Sequence, residues 1–189
     1  MKITETELPG VFLLEPKVWE DPRGYFFESY REDLFSQQIR KVFWVQDNES
    51  RSTKGVLRGL HYQTPPHAQS KLVRVIEGEV LDVVVDIRKG SPHFGKHLTI
   101  LLTEKNKKQV FVPRGYAHGF LVLSETAVFC YKVDNYYSKE CDRSIQWNDP
   151  AIEVNWQMPL SELQLSDKDK SAKPLAESDL FSFGVDLYA

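Results

Sequence analysis

The chain has 189 residues, long enough for one sizeable core, so a single domain over 1–189 is expected. With 41% hydrophobic residues, 12% aromatic residues and a formal net charge of -3, its composition excludes a disordered or membrane-embedded chain and offers no basic face for nucleic acid. No apolar run of about 18 residues is present to span a bilayer, and Met1 to Glu5 opens no apolar leader, so no membrane partner and a cytoplasmic location are expected.

In chain order the pattern is one of short strands between turns. Val11 to Leu14 reads as a strand, and Glu20-Asp21-Pro22-Arg23-Gly24 as a turn in which Pro pre-sets φ and Gly frees it. Tyr25 to Tyr30 reads as a strand, and Arg31 to Ile39 as an amphipathic helix with Leu34, Phe35 and Ile39 at helical spacing. Strands are then expected at Val42 to Gln46, Val56 to Gln63 and Lys71 to Ile76. In the next one, Leu81, Val83, Val85 and Ile87 alternate with Val80, Asp82, Val84 and Asp86, which gives one fully apolar face. Further strands follow at Leu98 to Leu102, Gln109 to Val112, Gly119 to Leu123 and Val128 to Val133. Many closely spaced strands with no intervening helices exclude a βαβ architecture and argue for an antiparallel sandwich or barrel. Trp147-Asn148-Asp149-Pro150 reads as a turn, and about 159–181 as a helical segment with start signals at Ser161-Glu162 and Ser166-Asp167. Cys130 and Cys141 have no metal or redox spacing and are given no role.

Val56-Leu57-Arg58-Gly59-Leu60-His61-Tyr62-Gln63 is a core-forming strand interrupted by an arginine, a glycine and a histidine. Pro113-Arg114-Gly115-Tyr116-Ala117-His118-Gly119-Phe120 is a tight turn that feeds a histidine onto a strand, and its P-x-G-x-x-H spacing resembles the second motif of the cupin superfamily. Metal-binding cupins supply two histidines one residue apart in a first motif, where this chain has His61-Tyr62-Gln63. Gln63 in place of the second histidine, with cationic Lys71 nearby in sequence, points to a cupin-type jelly roll whose metal site has been lost. His61 is then left for proton transfer, which suits a neutral imidazole near neutral pH whose other nitrogen is held by a carboxylate, a part Asp169 can play. Lys71 and Arg58 are cations able to stabilise an enolate oxygen, and Tyr131 is an acid for the opposite face. Each has a bland alternative: Tyr131 packing between strands, Lys71 ending a strand in solvent, Asp169 solvated near a helix end.

Arg58 to Gln63, Gln69-x-Lys71-Leu72-Val73-Arg74, Gly78-Glu79-Val80, Val85 to Arg88, Pro113 to Phe120, Tyr131-Lys132 and Trp147-Asn148-Asp149 together resemble the dTDP-4-dehydrorhamnose 3,5-epimerase family. The likeness runs from Asp21-x-Arg23-Gly24-x-Phe26 to Ser166-x-Lys168-Asp169, nearly the whole chain. It implies a cofactor-free homodimeric jelly-roll epimerase acting on a dTDP-linked 4-keto-6-deoxyhexose, with carbons 3 and 5 inverted. By the same resemblance His61 is the base, Asp169 its dyad partner and Tyr131 the proton donor, while Arg58, Lys71 and His118 line the sugar. Arg23 and Glu28 are implied to bind nucleotide across the dimer through N-terminal strands exchanged between protomers. Gln46, Asp47 and Asn48 are implied to contact the nucleoside, Asp142 and Lys168 the ligand, and Phe26 and Tyr137 to stack on thymine. Many relatives have glutamate where this chain has Asp142.

Arg58 and His61 lie three apart, on opposite strand faces unless Gly59 introduces a bulge or Arg58 curls round the barrel mouth; one of these is expected. A metal-dependent cupin would need the missing second histidine, and a sugar-nucleotide-binding module would not need Tyr131 or the His61 and Asp169 pair. Relatives that epimerise carbon 3 alone or isomerise keto-sugars share the base, and Tyr131 favours an epimerase over an isomerase.

Overall fold

Residues 1–189 form, in the computed structural model, fifteen strands and two short α-helices. Strands β1 (Lys2–Glu5), β2 (Phe12–Glu15), β3 (Trp19–Asp21) and β4 (Gly24–Phe26) precede helix α1 (Glu32–Gln38). Then come β5 (Gln46–Thr53), β6 (Leu57–Gln63), β7 (Lys71–Glu77), β8 (Glu79–Asp86), β9 (Arg88–Lys89) and β10 (His97–Thr103). After them follow β11 (Gln109–Val112), β12 (Tyr116–Val122), β13 (Thr126–Val133), β14 (Asp142–Ser144), helix α2 (Asp167–Lys170) and β15 (Phe181–Ser182). One sheet has the order β1-β2-β11-β7-β13-β5 and the other β10-β8-β12-β6-β14. Pairing within both is antiparallel throughout, as a jelly roll requires.

Side-chain alternation explains the layers. Val73 and Val75 of β7 and Phe129 of β13 meet Val84 of β8 and Phe120 of β12 between the sheets. Leu81, Val83 and Val85, the fully apolar face of β8, point the other way and are covered by Trp156, Leu175 and Phe181. Phe35 of α1 covers Leu14, Leu72 and Phe111 on the outside of the six-stranded sheet. With both faces of β8 covered, each buried Val or Leu contributes about 1.5–3 kcal/mol. The interrupted face, carrying Asp82 and Asp86, is the barrel interior, and both carboxylates are fully buried.

Three expectations of extent are corrected. Val42 to Gln46 is not a strand; the polar run Gln46–Thr53 is, as an edge that needs hydrogen bonds only from β13. Tyr25 to Tyr30 keeps strand form only to Phe26, in a hairpin of β4 with β3. Segment 159–181 is not one helix: 3-10 turns at Leu160–Glu162 and Leu175–Glu177 flank the single-turn α2. Leu163 and Leu165, two apart, both pack on the outer core, a spacing that suits an extended chain laid on a sheet. Asp149 of the Trp-Asn-Asp turn is buried and accepts hydrogen bonds from Ala151 N–H at 2.8 Å and Leu175 N–H at 2.5 Å, which ties this segment down.

The bulge at Gly59 is present. His61 pairs with His118 and Arg58 with Phe120, so three steps along β6 match two along β12. Gly59 has φ +148°, and a Cβ there would lie 2.6 Å from Gly119 Cα. At Gly119 a Cβ would lie 2.7 Å from the Arg58 carbonyl oxygen and 2.9 Å from Gly59 Cα. Both neighbours are backbone atoms, so Gly119→Ala is expected to lower stability by about 1–3 kcal/mol, read as a shifted denaturant midpoint. An unchanged midpoint would show that β6 and β12 separate freely.

Candidate active site

The bulge lets β6 present both Arg58 and His61 to a cavity of about 240 Å³ between the sheets, lined also by Asn48, Lys71, His118 and Tyr131. His61 Nε2 lies 2.5 Å from Asp169 Oδ1. Asp169 is buried, not solvated as its polar sequence neighbours suggested. Its position comes from the cap of α2: Ser166 Oγ accepts from the Asp169 N–H at 3.2 Å and donates to Asp169 Oδ2 at 2.7 Å. Burial depresses the His61 pKa below its ordinary value, against the opposing pull of Asp169. Burial would raise the Asp169 carboxyl, but its hydrogen bonds to His61 and Ser166 win and hold it low. The pair is therefore neutral imidazole with carboxylate: Nε2 carries the hydrogen donated to Asp169, and Nδ1 is free to take a proton.

Tyr131 comes from β13 in the six-stranded sheet, whereas His61 comes from β6 in the five-stranded one, so the two approach the cavity from opposite walls. Burial pushes the Tyr131 phenol up, with the Arg58 charge opposing, and keeps it protonated at neutral pH. Lys71 opens β7 and makes no ion pair, and burial lowers its ammonium to about 8, with Asp142 and Asp82 opposing. His118 Nε2 lies 2.8 Å from Asp82 Oδ2, both groups being buried, and its ring stacks on Phe129. Asp82 is a site residue that the sequence reading left in a strand pattern. An aspartate in an alternating strand ordinarily faces solvent; this one faces the barrel interior, where the pairing of β12 with β8 sets it beside His118.

Around the mouth, Lys168 Nζ donates to Asp142 Oδ2 at 2.5 Å and the Tyr137 hydroxyl donates to the same oxygen at 3.2 Å. The short Asp142 carboxylate therefore has its own partners. Gln46 Nε2 donates to Asn48 Oδ1 at 2.7 Å, and Lys132 pairs with Asp47 at 2.9 Å. Arg58 donates to Ser52 Oγ at 3.1 and 3.2 Å. Arg23, Glu28 and Phe26 are not brought to the cavity within one chain. All three are exposed, Arg23 and Phe26 on the β3–β4 hairpin, where Arg23 pairs with Asp21 at 2.5 Å. No three His, Cys, Asp or Glu side chains gather where they could hold a metal ion, and no helix is long and apolar enough to cross a membrane.

Residues 5–177 match the family model described as dTDP-4-dehydrorhamnose 3,5-epimerase. The chain belongs to this family. The dTDP-4-dehydrorhamnose 3,5-epimerase of Salmonella typhimurium strain LT2 is 52% identical over 184 residues, covering 96% of this chain and 99% of the relative. That of Shigella flexneri is 51% identical over 182 residues, with the same coverage. Within the family, the Legionella pneumophila epimerase crystallised with dTDP-4-keto-L-rhamnose superposes with a TM-score of 0.93 at 44% identity, over 97% of this chain and 99% of that one.

Proposed function

We infer that this chain inverts carbons 3 and 5 of dTDP-4-dehydro-6-deoxy-D-glucose, giving dTDP-4-dehydro-L-rhamnose for dTDP-L-rhamnose synthesis. Family membership supports the reaction, and one observation carries its mechanism: a carboxylate-held imidazole and a protonated phenol stand on opposite walls of one cavity. His61 takes the proton from a carbon next to the C4 ketone, and its electron pair moves into an enolate. Asp169 stabilises the imidazolium that results, and the Lys71 ammonium meets the charge on the enolate oxygen. Tyr131 returns a proton to the other face, which inverts the centre. Side chains supply base, acid and cation, so no metal or cofactor enters the scheme.

The nucleotide extends out of the cavity toward Gln46, Asp47 and Asn48 on one side and Asp142, Lys168 and Tyr137 on the other. In this reading the protein is a cytoplasmic homodimer, a single jelly-roll domain per chain. Arg23, Glu28 and Phe26 serve the partner's site from the exposed hairpin and the residues just after it. Sedimentation is expected to give twice the 21.9 kDa chain mass, and a monomer would contradict this arrangement.

The pH dependence of kcat/KM is expected to be a bell. Protonation removes the base, so the acid limb reports His61 and lies below the ordinary histidine value of about 6.5. Deprotonation removes the cation, so the alkaline limb reports Lys71, near pH 8. A profile that stays flat well past that value would remove Lys71 from the scheme. The function itself is tested by supplying the 4-keto substrate together with an NADPH-dependent reductase specific for the L-rhamno ketone. NADPH consumption that depends on this chain is expected, and none would overturn the assignment.

A further inference from the structure

The ammonium of Lys71 has no ion-pair partner in the protein, although it stands at the centre of the proposed chemistry. Its four-carbon stem is flexible, so its place depends on how firmly the start of β7 is held. Ser70, directly before it, is fully buried, and its N–H donates to Asp134 Oδ1 at 2.6 Å. Ser70 Oγ exchanges a hydrogen bond of 2.7 Å with the hydroxyl of Tyr188. That hydroxyl also accepts from the N–H of Arg114 at 3.1 Å, in the turn that leads to His118. Arg114 in turn donates through Nε to Asp134 Oδ2 at 3.2 Å and through Nη1 to the Leu187 carbonyl at 2.7 Å. Two guanidinium groups stand over the Tyr188 ring, Arg40 at 3.3 Å and Arg114 at 4.8 Å from its centroid.

These contacts meet at one end of the barrel. Lys71 pairs with Val133, next to Asp134, on one side and with Val112, two residues before Arg114, on the other. We propose that Tyr188 is a positioning residue for the epimerase reaction: its hydroxyl clamps Ser70 and the Arg114 turn together and so holds Lys71 and His118 in the cavity. Tyr188 does not line the cavity, so it acts only through these neighbours. The proposal rests on the assigned reaction for its activity readout, but the clamp is also measurable without turnover.

The test is Tyr188→Phe, which keeps the ring against the two arginines and removes only the hydroxyl. Expected is a kcat lower by about 10-fold with KM within about twofold, the signature of misplaced catalytic groups rather than lost binding. Ser70→Ala removes the other end of the same bond, and the double variant is expected to lose no more than the worse single one. Competitive acetylation read by mass spectrometry follows Lys71 directly. Loosening the clamp admits water, so the ammonium is expected to titrate above the value near 8 in the parent. The groups facing it, Asp82 of β8, Asp142 of β14, Lys168 of α2 and His61 of β6, are unchanged in the variant.

An unaltered kcat and Lys71 titration in the phenylalanine variant would overturn the clamp, including when thermal stability falls, since that result leaves a purely structural contact. Additive losses in the double variant would also overturn it. If the parent chain itself shows no turnover, the assigned reaction fails, and the Lys71 titration still decides the clamp.

Discussion

His61→Asn is expected to abolish both product formation and exchange of substrate protons with solvent, by about 10³-fold or more. Both begin with the same event, removal of a proton next to the ketone. His61 is the imidazole whose pKa burial lowers and whose tautomer an ionised carboxylate fixes, with Asp169 Oδ1 2.5 Å from Nε2. Asparagine keeps a polar group of similar reach but has no basic nitrogen, so the cavity and its hydrogen bonds survive while the chemistry does not. His118, directly across the ladder, is an imperfect substitute because it is buried with its ring packed on Phe129, at a different place in the cavity. NMR of the sugar ring in deuterated water measures the exchange. Appreciable deuterium uptake by the variant would show that another residue is the base.

Tyr131→Phe is expected to separate the two halves of the reaction. The base on β6 still removes the proton and returns solvent-derived hydrogen to the same face, so exchange continues within about tenfold of the parent rate. The donor on the opposite wall is gone, so inverted product falls by about 10²–10⁴-fold. The separation follows from His61 and Tyr131 belonging to different sheets, an arrangement that makes them unable to exchange roles. Full retention of turnover would remove Tyr131 from the mechanism, and loss of exchange along with product would assign it to an earlier step.

The antiparallel barrel was legible because many short strand-like runs follow one another with no helices between them, β8 showing a period of two most plainly. The bulge was legible too, since Arg58 and His61 at a spacing of three could share a cavity only if Gly59 or the Arg58 side chain broke the period. Edge strand β5 was hidden, because Gln46–Thr53 is polar throughout and takes its strand form from β13 rather than from propensity. Asp169 could be named as a carboxylate for His61, but nothing local in the sequence buries it. Its neighbours are charged and solvated, and its burial is created by the cap of α2 and by a histidine 108 residues away. Asp82 was hidden for the reason that applies to any inward carboxylate: its partner, His118, comes from a different strand. The network at Tyr188 joins Arg40, Ser70, Arg114 and Asp134, residues whose spacing carries no local signal.

In the proposed reaction one cavity deprotonates and reprotonates both carbons that flank the ketone. Incubation with dTDP-4-dehydro-6-deoxy-D-glucose in deuterated water, followed by NMR of the ring positions, tests it most directly. Deuterium at both carbon 3 and carbon 5 is predicted. Deuterium at carbon 3 alone would make the chain a mono-epimerase, and deuterium at neither would contradict the base, acid and cation assigned to His61, Tyr131 and Lys71.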